Sequence, residues 1–366
     1  MTAVRVTGDA QKQAWADRVM PPVEHVRPGL WSIPVPMPGN PLRYVLVYAL
    51  ALPDGIALID AGWASDESWR ALTDGLRHIG SDVSQVRYIA VTHLHPDHFG
   101  LVPRVLEHTD AVVAMHRADA HHLTHLDRAA LTDEKTRSAR QLRQLGAPPP
   151  VADSHPHTLV RFAGGRTVDV QLSHGDPLQL DGWDLRAVWT PGHTPGHLCF
   201  VDDAHGLVFS GDHLLPRISP NVSVIPGQLD DPLAEYLASL TNTVTVPDDY
   251  EALPSHEYRF AGIAQRARDL LAHHEERLDE IAAVVADRPE STSWDVTESV
   301  TWSRPFAAMS ADLRRMAVRE THAHLVVLAD RGVVRRCDES PLHWFATGPA
   351  ATAPAETPAT TGTTTT

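Results

Sequence analysis

The chain has 366 residues, 43% of them hydrophobic, so it is long enough to bury a substantial core. Its 46 acidic and 31 basic residues give a formal charge of −15, which argues against a general nucleic-acid partner because phosphate binding depends on lysine and arginine. Residues 1–19 lack the apolar segment of a secretory signal, and no apolar run reaches the roughly 18 residues of a membrane span. Cys199 and Cys337 form no paired motif. We therefore expect free thiols and a soluble, cytoplasmic protein that does not bind membranes.

In the first half of the chain, short apolar runs typical of strands alternate with segments whose apolar residues recur at helical spacing. The predicted elements, in chain order, are strands over 44–50 and 56–59, a helix over 65–79, a strand over 86–91, a helix over 101–108 and a strand over 111–115. A similar order recurs loosely from 167 to 254. The pattern predicts an internally duplicated fold of the α/β (α+β) class.

The predicted strand over 86–91 leads directly into the run Thr-His-Leu-His-Pro-Asp-His-Phe-Gly at 92–100. His93 and His95 are two residues apart and point the same way on an extended turn. Asp97 and His98 follow, so one loop could supply ligands to two neighbouring metals. Imidazole and carboxylate are the ligands that zinc and related divalent ions prefer.

Further metal-capable residues stand at the ends of other apolar runs. They are Asp60 after 55–59, His193 and His197 after 185–190, Asp212 and His213 after 206–210, and His256 after 250–253. Strand ends that present polar side chains to one sheet edge are where layered α/β folds place their sites.

Asp60, the His93–His98 run, His193, Asp212 and His256 resemble, in order and context, the five motifs of the metallo-β-lactamase superfamily. The resemblance covers about residues 25–280. It implies an αββα sandwich of two packed mixed sheets with helices outside. It also implies a centre of two divalent metal ions at one edge, with zinc as the first expectation and iron or manganese as alternatives.

The same resemblance assigns roles to the individual residues. His93, His95 and His193 would hold the first metal, Asp97, His98 and His256 would hold the second, and Asp212 would bridge both. Asp97 would also be catalytic, by orienting a hydroxide shared between the ions. Asp60 would support the metal loop by hydrogen bonds. For His197 we favour a structural role over metal ligation. His213 is a candidate proton donor to the leaving group, and a loop histidine without a catalytic role is the favoured interpretation.

Single residues of this chain argue for or against particular groups of the superfamily. Most zinc β-lactamases carry cysteine where this chain has Asp212, which argues against β-lactam hydrolysis as the main activity. Two-iron redox members carry glutamate at the position of His95. One-iron persulfide dioxygenases keep much of the histidine run and remain open. His256 favours a two-metal hydrolase.

Three segments outside the motifs leave alternatives open. The charged, histidine-containing segment 116–150 is interpreted as a solvated helix or a cap over the site edge rather than a further metal site. The loop 214–222 is either substrate-facing, with Arg217 and Asn221 available to a polar or anionic group, or a plain connection. Predicted helices over 262–287, 293–302 and 310–330, followed by a β-type run from 332, resemble a small winged-helix appendage.

We expect four regions: an N-terminal extension over 1–24, a catalytic domain over 25–285, a winged-helix-like C-terminal domain over 286–346 and a disordered tail over 347–366. The leading function is hydrolysis of a small acyl substrate, namely a thioester, ester or lactone. The glyoxalase II-like run at 92–100 and the acidic charge favour it. The alternative is an endoribonuclease or phosphodiesterase that uses seven arginines between 304 and 336 to bind RNA. A packing or homodimer role for that basic segment is the preferred interpretation.

Overall fold

The computed structural model describes residues 4–124, 128–154, 168–337 and 339–347, and its N-terminal segment joins the main body of the fold. Strand β1 (Arg5–Val6) pairs with a strand formed by residues 260–261, near the end of the second sheet. Helix α1 (Asp9–Asp17) follows, and its Gln11 donates a hydrogen bond to Ser32 of the first sheet at 3.0 Å. The predicted tail over 347–366 lies outside the described residues apart from Thr347.

The first sheet has seven strands in the spatial order of their numbering. They are β2 (Glu24–Arg27), β3 (Leu30–Pro36), β4 (Tyr44–Leu52), β5 (Gly55–Ile59), β6 (Val86–Ala90), β7 (Val112–His116) and β8 (Val170–Leu172). Strands β2 to β5 are antiparallel, and β5 to β8 are parallel.

The second sheet has six strands, in the order β1-β13-β12-β11-β10-β9. Its other members are β9 (Leu185–Trp189), β10 (Leu198–Asp202), β11 (Leu207–Gly211), β12 (Glu251–Pro254) and β13 (Phe260–Ala261). Only the pair β11 and β12 is parallel within this sheet.

The helices lie outside the two sheets and at the C-terminal end of the chain. Beyond α1 they are α2 (Asp66–His78), α3 (Pro96–Phe99), α4 (Val102–Val105), α5 (Arg117–Thr124), α6 (Arg128–Gln144), α7 (Pro149–Ala152), α8 (Pro232–Thr243), α9 (Ile263–Asp287), α10 (Ser293–Ser299) and α11 (Ala311–Asp330). Within the described part of the chain, none of these helices is long and apolar enough to cross a membrane.

The alternation of side chains along β4 shows how the layers form. Leu46 and Leu50 face the second sheet and pack with Phe200 and Phe209, while Val47 faces the helices on the other side. Because successive side chains of a strand point to opposite faces, an apolar run buried on both faces requires a covering layer on each. The helix–sheet–sheet–helix sandwich that the sequence predicted is confirmed.

The C-terminal helical part packs on the outer face of the second sheet. Helix α11 contacts α8 and α9, and its buried Ala323 and Leu325 belong to the same apolar cluster as Val208 of β11. A small antiparallel sheet of β14 (Ser291–Thr292), β15 (Val334–Cys337) and β16 (His343–Ala346) follows in the order β14-β16-β15. The C-terminal part therefore shares a core with the sandwich.

The single helix predicted over 101–108 is wrong in extent. Within this range the α-helix α4 covers only Val102–Val105, because the N–H groups of Glu107 and His108 donate to carbonyls three residues earlier. The short helix α3 precedes it, and each of the two has a proline in its first turn. The N–H of Leu101 donates to the carbonyl of Gly62 at 2.9 Å rather than to the carbonyl four residues earlier. This contact interrupts the helical ladder between the two segments and ties the metal loop to the segment after β5.

Candidate metal centre

All seven predicted ligands converge at one edge of the sandwich, where five strands end. The loops that follow β6, β9, β11 and β12 carry them, and Asp60 follows β5 at the same edge. Because β5 and β6 are parallel, as are β11 and β12, their carboxyl ends reach the same side of the fold. Three groups of ligand atoms close enough to share an ion result, namely His93, His95 and His193; His93, His98 and Asp212; and Asp97, His98 and His256.

The first ligand set consists of three imidazoles. His95 Nδ1 lies 3.0 Å from His93 Nε2 and 2.9 Å from His193 Nε2. The outer nitrogens of the other two rings are held by protein groups: His193 Nδ1 by the carbonyl of Asn221 at 2.8 Å, and His93 Nδ1 by Thr92 Oγ1 at 3.0 Å. A ring that donates through Nδ1–H presents the Nε2 lone pair to the centre, which is the tautomer that binds a metal.

The second set combines Asp97, His98 and His256. His256 Nε2 lies 3.3 Å from Asp97 Oδ2, and His98 Nε2 lies 3.6 Å from the same oxygen. His98 Nδ1 donates to Asp60 at 2.7 Å, and His256 Nδ1 donates to the carbonyl of Tyr44 at 2.9 Å. Both rings are fully buried, and both present an Nε2 lone pair toward Asp97.

Asp212 faces both sets with different oxygens. Its Oδ1 lies 3.6 Å from His98 Nε2 and 3.4 Å from His256 Nε2, while its Oδ2 lies 3.5 Å from His193 Nε2. No other described carboxylate has an ion-pair distance to histidines of both sets. Its position would allow it to contact ions held by both sets.

The donor set fits divalent metal ions. His98 Nε2, His256 Nε2 and Asp212 Oδ1 are buried and have no hydrogen-bond partner among the described residues. An unpaired buried polar atom costs about 1–3 kcal/mol, so three that converge on one point indicate a cation between them. Imidazole nitrogens with carboxylate oxygens are the donors that zinc, iron and manganese accept.

The electrostatics of the two sets differ. Burial and neighbouring imidazoles lower the pKa of His95 to about 3, and they also lower the pKa of His93, so the first set is neutral and ready to coordinate. Burial would lower the pKa of His256 as well, but Asp212 and Asp97 outweigh it and raise that pKa to about 10. The two carboxylates thus favour positive charge at the second set, which a bound dication would supply.

Asp60 supports one ligand of each set. Its Oδ1 accepts the backbone N–H of Thr92 at 2.8 Å, and its Oδ2 accepts His98 Nδ1–H. The Thr92 hydroxyl donates to Asp60 at 2.9 Å and is then free to accept from His93 Nδ1. Asp60 is 1% exposed and has a φ of 62°, a conformation that aspartate tolerates better than most residues. These are the supporting hydrogen bonds expected of Asp60.

His197 is engaged outside the ligand sets, as interpreted from the sequence. Its Nε2 accepts the backbone N–H of Asp212 at 3.1 Å, and its Nδ1 contacts Thr190 Oγ1 at 2.8 Å. Gly211 has a φ of 50°, and a Cβ there would lie 2.7 Å from His197 Nε2. The glycine lets the backbone approach the ring, and the ring positions the backbone of Asp212.

Asp119 is a supporting residue that the sequence did not identify. Its Oδ2 accepts from Leu94 N at 3.0 Å and from Thr194 Oγ1 at 2.9 Å, and its Oδ1 accepts from Gly196 N at 2.7 Å. It therefore joins the loop of His93 and His95 to the turn of His193. Burial raises the pKa of Asp119 to about 6, although all three donors favour its carboxylate. Its position in a charged helical segment gave no signal, because its partners lie 25 to 77 residues away.

Replacing Asp119 by asparagine is expected to lower stability by about 1–3 kcal/mol. An amide presents one NH₂ group where the carboxylate presents two acceptors, so either Gly196 N–H or Leu94 N–H loses its buried partner. Urea denaturation of the metal-free protein measures the effect. A free energy of unfolding equal to the wild-type value would contradict it.

The loop 214–222 forms hydrogen bonds with a residue of the candidate metal centre and with a neighbour of that centre. Arg217 Nε donates to the fully buried Glu257, the neighbour of His256, at 3.2 Å, and 53% of the Arg217 side chain remains exposed. The carbonyl of Asn221 is occupied by His193. Of the two side chains considered for substrate contact, Arg217 is the more exposed, and Asn221 is half-buried with both ends of its amide hydrogen-bonded.

The segment 116–150 contributes no candidate ligand set among its described residues. His116 ends β7, and its ring stacks on Trp189 with centroids 5.2 Å apart. Leu142 and Leu145 of this segment pack with Trp294 and Val318 of the C-terminal part. His125 lies outside the described residues. The end of the segment is thus anchored on the C-terminal helices.

The fold and the site together define a candidate centre for divalent metal ions, built from histidines and aspartates at one edge of an αββα sandwich. The family model described as the metallo-beta-lactamase superfamily matches residues 40–256, which is more than half of the chain. The chain belongs to the metallo-beta-lactamase superfamily.

The sequence similarity to related proteins extends well beyond the candidate metal site. The chain is 24% identical over 291 residues to the probable metallo-hydrolase YqjP of Bacillus subtilis, covering 78% of this chain and 87% of that protein. It is 24% identical over 271 residues to the lactamase-like protein adaB of Aspergillus niger, covering 73% of this chain and 67% of that protein.

Two crystal structures share the fold. A metallo-beta-lactamase family protein from Thermus thermophilus has a TM-score of 0.75 and 29% identity, covering 88% of this chain and all of that one. A beta-lactamase domain protein from Burkholderia ambifaria has a TM-score of 0.78 and 25% identity, covering 94% of this chain and 98% of that one. Such coverage extends well beyond residues 40–256, so the C-terminal helical part belongs to the shared architecture.

Proposed function

We propose that the chain is a hydrolase with two divalent metal ions, most readily zinc, that cleaves a small acyl substrate: a thioester, an ester or a lactone. The observation that carries the proposal is the pair of ligand sets joined by Asp212. His93, His95 and His193 would hold one ion, Asp97, His98 and His256 the other, and Asp212 would contact both. The names of the relatives, a metallo-hydrolase and a lactamase-like protein, support the reaction class.

Two dications in such a site supply a nucleophilic water near neutral pH and polarise the bond that is cleaved. Asp97 is the residue of this chain proposed to orient that water and accept its proton. Its side chain is 13% exposed, whereas His98 and His256 are completely buried, so it is the more open member of the second set. Burial would raise the pKa of Asp97, but His98 and His256 hold it at about 2, which keeps the acceptor ionised.

The contacts of the basic C-terminal segment favour the acyl substrate over RNA. Arg315 donates to the carbonyl of Ser154, Arg319 to Gln141, and Arg331 to both oxygens of Glu275. Guanidinium groups that hold partners within the protein are less available to neutralise phosphates. These three are among the seven arginines of the segment, whereas Arg304, Arg335 and Arg336 are exposed, so the endoribonuclease or phosphodiesterase alternative loses part of the basic surface that favoured it.

The C-terminal part is proposed to be a winged-helix-like packing module. Helices α10 and α11 precede the hairpin of β15 and β16, the helix–helix–strand–strand order that the sequence suggested. The free thiols of Cys199 and Cys337 support action in a reducing compartment, which we propose to be the cytoplasm. Arg217, half-exposed beside the second set, is proposed to contact a polar or anionic part of the substrate.

The test is a zinc titration of metal-free protein with a model thioester as substrate. We expect two bound ions per chain, with turnover that rises mainly as the second ion binds. A chain that binds one ion with full turnover, or that turns over without metal, would overturn the dinuclear proposal.

His256→Ala is expected to remove one of the two ions and to slow turnover by at least about 100-fold, since the second set loses a ligand and its charge stabilisation. Metal analysis by mass spectrometry gives the stoichiometry. His213→Ala is the matched control, because His213 is equally buried but belongs to no ligand set among the described residues. Equal metal content in the two variants would contradict the assignment.

A further inference from the structure

A chain of hydrogen bonds runs from the first ligand set to the C-terminal helix α11. His193 Nδ1 donates to the backbone carbonyl of Asn221 at 2.8 Å. The side chain of Asn221 in turn donates through Nδ2 to Glu320 Oε2, also at 2.8 Å. Glu320 lies in α11, 99 residues further along the chain. A residue of the C-terminal part thereby reaches a proposed metal ligand through one intermediate.

The amide of Asn221 is held at both ends. Ser223 Oγ donates to its Oδ1 at 2.6 Å, while its Nδ2 is taken by Glu320. With both ends paired, the amide has one orientation, and the position of the Asn221 backbone is set with it. The carbonyl that receives His193 is therefore positioned by contacts of the side chain on the same residue.

A second link joins α11 to the same loop. Arg319, the neighbour of Glu320, donates through Nε to Gln141 Oε1 at 3.1 Å, and Gln141 Nε2 donates to the carbonyl of Val224 at 2.9 Å. Between the two links, Val222 is fully buried in the apolar cluster that also contains Ala323 of α11. Hydrogen bonds on either side of the buried Val222 therefore hold the loop 221–224 in place.

We infer that Glu320 is a positioning residue for the first metal site, because it fixes Asn221 so that its carbonyl orients His193 toward the ion. The inference rests on the proposed metal centre. Partners that orient a metal-binding histidine typically change metal affinity by about 10–100-fold when they are removed. The C-terminal part then acts in building the metal site as well as in packing.

The experiment measures two zinc dissociation constants of the full-length protein by competition with a chelator. Glu320→Ala is expected to weaken one of the two binding events by about 10–100-fold and leave the other nearly unchanged. Glu320→Gln should restore most of the affinity, because its amide oxygen can still accept from Asn221 Nδ2. The visible spectrum of the cobalt-substituted protein should change in Glu320→Ala and return in Glu320→Gln.

Two further variants separate positioning from stability. Asn221→Ala removes the same link without touching α11 and should match Glu320→Ala. Asp312→Ala breaks an ion pair with Arg315 on the same helix and should leave both zinc constants unchanged. If Glu320→Ala does not fold, Asn221→Ala decides the question.

The outcomes distinguish this inference from the function on which it rests. Folded Glu320→Ala or Asn221→Ala protein with both zinc constants at the wild-type values would overturn the positioning role while leaving the dinuclear proposal intact. A wild-type protein that binds no zinc would overturn the proposed function, and the role of Glu320 would fall with it.

Discussion

Asp212→Ala is expected to lower turnover by at least about 1,000-fold, which corresponds to about 4 kcal/mol of transition-state stabilisation. Asp212 is the one described carboxylate with oxygens directed at histidines of both ligand sets. Without it, each of the two proposed ions would lose a ligand, and the histidines would face each other with less compensating charge. Steady-state kinetics and metal analysis of the same preparation measure both effects.

The control for Asp212→Ala is Asp202→Ala. Asp202 is fully buried and accepts from the backbone and ring of His205, at the opposite edge of the second sheet. The control should lose stability but keep two ions and most of its turnover. Asp212→Ala protein with unchanged zinc content and unchanged rate would contradict the bridging role.

Asp60→Ala is expected to lower both stability and metal affinity. The change leaves the Thr92 N–H and the His98 Nδ1–H without acceptors in a buried site, at a cost of roughly 3 kcal/mol or more. It also releases one supported ligand from each set, so both zinc constants should weaken by about 10–100-fold. Urea denaturation of the metal-free protein and chelator competition measure the two effects separately.

Asp60→Asn keeps the shape of the side chain but removes its charge, so this variant tests the two contributions separately. Asparagine tolerates the positive φ of residue 60, and its oxygen can still accept from Thr92, but its NH₂ group cannot accept from His98 Nδ1–H. We expect a smaller loss of stability than in Asp60→Ala, with the affinity loss concentrated at the second site. Wild-type affinity at both sites in Asp60→Ala would remove Asp60 from the support of the centre.

The predicted ligands could be located from the sequence because each follows an apolar run that forms a strand. His93, Asp212 and His256 come after β6, β11 and β12, and the parallel pairing of β11 with β12 brings two of these ends together. The apolar run over 44–50 likewise predicted the strand β4. Local pattern thus placed metal-capable residues at the strand ends, and the resemblance to the superfamily supplied their assignment as ligands.

The supporting residues could not be located in this way, because their roles depend on contacts far apart in the chain. Asp119 reaches Gly196 across 77 residues, and Glu320 reaches Asn221 across 99. Both lie in helices whose pattern predicts only packing or solvent exposure. The early end of α4 was also missed: the predicted helix over 101–108 is α-helical only over Val102–Val105, and the next N–H groups, of Glu107 and His108, donate to carbonyls three residues earlier.

The most direct single test is a hydrolysis panel with the zinc-loaded protein, using acyl-CoA and glutathione thioesters, a homoserine lactone, a phosphodiester and short single-stranded RNA. Each substrate is also offered to the metal-free protein. We expect cleavage of at least one carbonyl substrate that disappears on metal removal and returns with zinc. Cleavage of RNA or the phosphodiester alone, or cleavage that persists without metal, would contradict a metal-dependent acyl hydrolase.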